Sequence, residues 1–216
     1  MMADSSASPQ ITKLILIRHG ETAWNRQRRY QGLSDTSLTV ASRRKMRQLA
    51  QGLRPGMADI LFTSALKRAK ESGVILARSL GLNPVADERL NELDLGDWEG
   101  KTAGELMQKA DKRYLKWMSG EWVTPPNGES VQSLRKRIRD FLKDILGDHP
   151  NKNIIAVSHA GPLRMILLEA LKIPSKHIFQ YRIDPGSVTI INFYPGTVEL
   201  QSLNNNFAFF EMRVGQ

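Results

Sequence analysis

The sequence predicts an α/β fold, a three-layer α/β/α sandwich around a mostly parallel central sheet. Three short apolar runs, at 13–17, 60–63 and 153–159, have the composition of strands buried on both faces. Stretches with helical apolar stripes alternate with them, and this order implies parallel strands joined by right-handed crossovers. No Pro/Gly/Ser-rich linker divides the 216 residues, so residues 12–204 read as a single domain. Residues 1–11 are polar and read as an N-terminal tail, and the sequence does not place the packing of 205–216.

The first run, 13–17, leads straight into Arg18-His19-Gly20-Glu21-Thr22. A helix is expected after Thr39, a natural N-cap, with Met46, Leu49, Ala50 and Leu53 as its stripe and an end near Gly52 to Gly56. Ser64 follows the second run and is expected to cap a helix over 65–80 that Gly81 ends. Residues 84–128 are loop-rich, carry Trp98, Trp117 and Trp122, and hold at least one helix between Thr102 and Met118. Over 130–146, Val131, Leu134, Ile138, Phe141, Leu142 and Ile145 share one face of an amphipathic helix, with Arg and Lys on the other. The third run ends at Ser158-His159, and a helix over 161–171 follows. Segments 187–194 and 198–203, separated by Pro195-Gly196, predict a hairpin. Beyond it lie Phe207, Phe209 and Phe210.

The chain has no cysteine, which excludes disulfides and thiolate metal sites and fits a reducing cytoplasm. No run reaches the ~18 apolar residues of a membrane span, and the N-terminus lacks a secretory pattern. Thirty-one Lys and Arg against 22 Asp and Glu give a net charge of +9. That excess fits nucleic acid, an anionic membrane or a phosphorylated small substrate. Much of it sits in runs such as 43–47 and 135–139, which read as solvated helix faces.

Two buried strands end in histidines, His19 and His159. In an open parallel sheet, ligands bind beyond the carboxyl ends of the strands, so both histidines belong at one rim. Glycines follow each, where backbone can approach closely. Arg68, four residues after Ser64, starts the next helix and can reach the same rim as Arg18. Guanidinium pairs hold phosphate through charge-assisted hydrogen bonds, and a helix N-terminus adds to them. Taken singly, each arginine fits an ordinary surface residue; the set points to a phosphate monoester.

Arg18-His19-Gly20-Glu21-Thr22 with Asn25, followed by Arg29-Tyr30-Gln31-Gly32, resembles the signature of the histidine phosphatase superfamily in its phosphoglycerate-mutase-like branch. Ser64 to Ala69 resembles that family's second arginine motif, Glu92 to Gly100 its acid segment, and Ser158-His159-Ala160-Gly161 its second histidine motif. The resemblance spans about residues 13–203 and implies the phosphoglycerate-mutase-like fold. It implies that His19 is the nucleophile, forming a phosphohistidine that water hydrolyses. Arg18, Arg68 and His159 would bind the equatorial oxygens. Asn25, Gln31, Gly32 and the Ala160-Gly161 backbone would complete the pocket, and Glu92 would protonate the leaving oxygen. Glu21 and Glu99 are the alternatives for that acid. Neither metal nor cofactor is implied.

Pro126-Asn127-Gly128-Glu129-Ser130 resembles the family's Pro-Gly-Gly-Glu-Ser segment, with Pro126 and Asn127 departing around its first glycine; Ser37 stands where many relatives have proline. A mutase resembles this chain but carries a longer insertion between the acid and the second histidine. Here 67 positions separate Glu92 from His159 (159 − 92), and the mutase Glu-Arg-His-Tyr-Gly segment is replaced by Glu92-Leu93-Asp94-Leu95-Gly96. The expectation is therefore a phosphatase of small phosphorylated metabolites, with a mutase as the alternative and a regulatory or nucleic-acid-binding module behind both. Gln31-Gly32, the segment 94–100 and Gly186-Ser187 look most like the family's alpha-ribazole phosphatases. Phosphoglycerate, phosphoserine and sugar phosphates stay open as substrates. Nucleic acid and membrane are not expected as partners, and the oligomeric state stays open.

Overall fold

A computed structural model describes residues 10–109, 111–121 and 123–205. The element order is β1 (Thr12–Arg18), α1 (Ala23–Arg26), α2 (Val40–Gln51), β2 (Ile60–Thr63), α3 (Lys67–Leu80), β3 (Val85–Ala86), α4 (Ala103–Gln108), α5 (Lys112–Met118), α6 (Val131–Asp148), β4 (Asn153–Ser158), α7 (Ala160–Ala170), β5 (Val188–Tyr194) and β6 (Thr197–Asn205). One six-stranded sheet has the order β3-β2-β4-β1-β5-β6. The β3–β2, β2–β4 and β4–β1 pairings are parallel; β5 and β6, the expected hairpin, add antiparallel.

Successive strand residues point to opposite faces, and this splits β1 between two cores. Ile15 and Ile17 pack with Met46 and Leu49 of α2 and Leu76 of α3. Leu14 and Leu16 pack with Ile138 and Phe141 of α6 and Ile166 of α7. The sheet is thus covered on both sides, the expected three layers. All six apolar residues of the α6 stripe are buried. Thr39 caps α2 by accepting from the Ser42 N–H, and Ser130 caps α6 by accepting from Ser133. Gly81 ends α3 with φ +69°, a left-handed conformation that suits glycine.

Several local expectations change. Helix α3 starts at Lys67 behind Leu66, and Ser64 is not its cap. The Ser64 hydroxyl is engaged by His159 and Asn91 instead. The span 102–118, expected to hold at least one helix, holds two short ones, α4 and α5, as that expectation allows. Arg137 leaves the solvated face assigned to it: it pairs with Glu129 and donates to the carbonyls of Arg89 and Glu92. Asn127 has φ +58°, a region in which asparagine is tolerated in place of glycine, so its departure from the family segment costs the turn little. Trp122 and the Phe207, Phe209 and Phe210 cluster lie outside the described residues. No helix among the described residues is long and apolar enough to cross a membrane.

Candidate active site

Strand register brings the two histidine segments together. Arg18 of β1 is the partner of Ser158 of β4, so the next residue of each chain segment emerges at the same rim. The His19 N–H donates to the Ser158 carbonyl (2.9 Å), and the rings of His19 and His159 lie 4.9 Å apart. β2 ends beside β4, with the Ser64 N–H on the Val157 carbonyl, and this delivers α3 and Arg68 to the same place.

His19 Nδ1 lies 2.7 Å from the Gly20 carbonyl. A carbonyl only accepts, so Nδ1 carries the proton and Nε2 keeps a lone pair. Burial, then the charges of Arg18 and Arg68, hold the ring well below its ordinary pKa and therefore neutral.

Arg68 is fully buried. Its Nη1 donates to the Ser34 carbonyl, its Nη2 to Gly32, and its Nε to His159 Nδ1 (2.8, 2.7 and 3.1 Å). Three of its five N–H groups are thereby fixed, leaving two for a ligand. Arg18 donates through Nη1 to Ile183 O at 2.6 Å, while its buried Nε has no partner. Burial is the largest influence on it and brings its pKa down to about 10, still protonated at neutral pH. Neither arginine is ion-paired to a described carboxylate. Glu92 acts on both only at longer range, and buried cations without a directly paired carboxylate favour an incoming anion.

His159 differs from the expected direct phosphoryl contact. Arg68 Nε can only donate, so His159 Nδ1 accepts and Nε2–H goes to Ser64 Oγ (2.7 Å). Ser64 in turn donates to Asn91 Oδ1 (2.8 Å), which also accepts from the Ala65 N–H. Neutral His159 has therefore spent its only N–H, and in this arrangement it orients Arg68. Its pKa is also held well below the usual value, by burial first and then by Arg68.

Asn25 and Gln31 present amide NH2 groups. Asn25 Oδ1 accepts from the Thr22 N–H, and Gln31 Oε1 accepts from the hydroxyls of Thr22 and Thr36. Gly32 (φ +50°) sits where an added Cβ would lie 1.9 Å from Glu99 Oε1. Glu99 itself accepts from Leu33 N, Ser34 N and Ser34 Oγ, and so fixes the loop whose carbonyls hold Arg68. Glu21 pairs with Arg26 at the surface.

Glu92 is the carboxylate that reaches the site: its Oε1 accepts from Leu93 N (2.9 Å) and Gly161 N (3.1 Å). The Gly161 N–H, expected to face phosphate, is committed to Glu92. A Cβ at Gly161 would lie 2.4 Å from that oxygen.

A cavity of about 600 Å³ opens on these groups. Arg18, His19, Asn25, Gln31, Gly32, Arg68, Glu92, Ala160 and Gly161 line it; His159 stands behind Arg68. Sequence reasoning missed Arg164, Asn91 and the apolar wall around Trp117 and Phe179. Arg164 lies four residues past Ala160, one helical turn on, and that spacing is the signal that could have placed it on the same face. Among the described residues no His/Cys/Asp/Glu cluster is placed to hold a metal ion.

The two neutral histidines make stability pH-dependent. Unfolded histidine protonates near 6.5 and the native rings resist, so the unfolded state binds more protons as pH falls. Stability should be full above about pH 7, then decline through 6.5 and on toward the depressed native pKa values. Each ring contributes at most ~1.4 kcal/mol per pH unit. Urea unfolding at pH 7.5 and 5.5 measures the slope, which His19→Ala should reduce. Equal slopes in wild type and variant would refute this assignment.

Residues 14–206 match the family model for the histidine phosphatase superfamily, branch 1. A bifunctional protein of Mycobacterium tuberculosis is 34% identical over 185 residues, 85% of this chain; the chain spans about half the length of that relative (50%). Phosphoserine phosphatase 1 of Hydrogenobacter thermophilus is 31% identical over 183 residues, covering 84% of this chain and 87% of that protein. The solved alpha-ribazole phosphatase of Shigella flexneri superposes with a TM-score of 0.81 at 29% identity, over 90% of this chain and 96% of that one. With the paired histidines and arginines at one sheet rim, the match over nearly the whole described chain has one reading: this protein belongs to the histidine phosphatase superfamily.

Proposed function

We propose that this chain is a phosphomonoesterase that passes the phosphoryl group of a small ester through His19 to water. The observation that carries the reading is His19 itself: neutral, with its Nδ1–H pinned to Gly20 O, in a cavity lined by two buried guanidiniums that make no direct ion pair. The Nε2 lone pair attacks phosphorus and the ester P–O bond breaks. Arg18 and Arg68 hold the equatorial oxygens, with Arg68 oriented by His159. The NH2 groups of Asn25 and Gln31 add donors. Glu92 gives a proton to the leaving oxygen. It then takes one from the water that attacks the phosphohistidine, releasing orthophosphate and restoring both groups.

The arginines supply the charge that a metal ion would otherwise provide, so the proposed reaction needs neither metal nor cofactor. Alpha-ribazole 5′-phosphate and phosphoserine are the substrates that the relatives' names suggest. The test is phosphate release from a panel of phosphorylated metabolites, with and without EDTA. Release that chelation leaves unchanged is expected. Loss of turnover on chelation, restored by magnesium or zinc, would overturn metal independence. Phosphoryl transfer between two hydroxyls of phosphoglycerate, faster than release, would favour a mutase.

A further inference from the structure

The layer formed by α2 and α3 carries most of the chain's excess positive charge. Its two helices hold eight cations and one carboxylate, Glu71, whereas α6 and α7 on the other side of the sheet hold six cations and four carboxylates. Several of these cations sit where the helices gain nothing from them. Lys67 and Lys70 lie in the first turn of α3, against the positive end of its dipole, and no acidic residue accompanies them there. Arg43 and Arg47, four residues apart on α2, form a like-charged pair.

A groove of about 590 Å³ between α2 and α3 collects these side chains, and among the described residues it shares no lining residue with the catalytic cavity. Lys67, Lys70, Val74 and Arg78 line one side, at the i, i+3, i+7 and i+11 spacing of a single helix stripe. Arg43 and Arg47 face them from α2. Two carboxylates share the wall, and both are engaged. Glu71 is taken by Arg43 at 2.8 Å, and Asp35 accepts from the Lys67 backbone N–H at 2.6 Å. Among the described residues, Arg47, Lys67, Lys70 and Arg78 pair with no carboxylate. A cleft lined mainly by one sign of charge focuses the field and gathers anions.

We propose that this groove is a second anion site, separate from the catalytic one, and that it takes a small linear polyphosphate. The stripe from Lys67 to Arg78 spans eleven residues (78 − 67), about 16 Å of helix. A single phosphate reaches one end of it, whereas a chain of phosphates runs along it between the two helices. The volume is that of a small-molecule site. Cations set between two helices suit a slender chain better than the wide backbone of a nucleic-acid duplex.

The test is titration calorimetry of sodium tripolyphosphate into the His19→Ala protein, in which the proposed nucleophile is gone. Saturable binding is expected, weakening as salt rises, because exposed charges are screened within ~8 Å at physiological ionic strength. Arg47→Glu and Lys70→Glu, added separately at exposed positions, should each weaken it about tenfold, since an attraction becomes a repulsion. Lys143→Glu makes the same change of charge on the exposed face of α6 and should leave the affinity as it is. Arg18→Ala, which removes a cation from the catalytic cavity, should also leave it. Loss in Arg18→Ala with none in the groove variants would place the probe in the catalytic cavity and sink the proposal. Equal weakening by Lys143→Glu would reduce the effect to the chain's net charge, with no built site. Orthophosphate bound as tightly as tripolyphosphate would refute the polyphosphate assignment. Duplex DNA bound more tightly than tripolyphosphate, and lost in the groove variants, would make the surface a nucleic-acid one instead. Absence of saturable binding would overturn the site outright.

Discussion

His19→Ala is expected to lower kcat/KM by at least ~10³-fold for every substrate, because it removes the atom to which phosphorus is transferred. The fold predisposes the ring for that role. Gly20 fixes the tautomer, and burial followed by the surrounding arginines keeps the ring neutral, so Nε2 is nucleophilic without a separate base. Rapid quenching during turnover should trap an acid-labile, base-stable phosphoryl group on His19. Retention of most activity in His19→Ala, or a trapped phosphate that maps to another residue, would refute the mechanism. Because the ring sits behind its own glycine and beside His159, the alanine variant should keep the sheet intact. Its circular dichroism checks that the loss is chemical.

Glu92→Gln should divide substrates by their leaving groups. A p-nitrophenolate departs without protonation, whereas an alkyl alkoxide needs the proton, and one positioned general acid is typically worth ~10²–10⁴-fold. Alkyl phosphates should therefore slow by about that factor and p-nitrophenyl phosphate much less. Glutamine keeps a carbonyl oxygen able to accept from Leu93 N and Gly161 N, so the geometry at the start of α7 should persist. Equal losses for both substrate classes would remove Glu92 from the role. The rivals are poorly placed: the Glu99 carboxylate is consumed by the loop over 33–34, and Glu21 faces Arg26.

The sequence by itself determined the layers and the poles of the site. The continuous apolar runs of the central strands and the stripe of α6 are set by local pattern, and residues that end a buried parallel strand are bound to share a rim. His19, His159 and Arg68 were legible for that reason, along with the cap at Thr39. Only the tertiary structure decided how those groups are held. Whether His159 faces phosphate or Arg68 depends on its hydrogen bond to Ser64, 95 positions away in the chain (159 − 64), and on the bond that Ser64 in turn donates to Asn91, and no local pattern encodes such a choice. The same holds for which glutamate lines the cavity, Glu92 and not Glu99, and for Arg137, drawn off its polar face by Glu129 and two carbonyls. The wall of Trp117 and Phe179 joins elements 62 residues apart (179 − 117) through an edge-to-face contact. Sequence patterning records that such residues are apolar; only packing fixes which cavity they line.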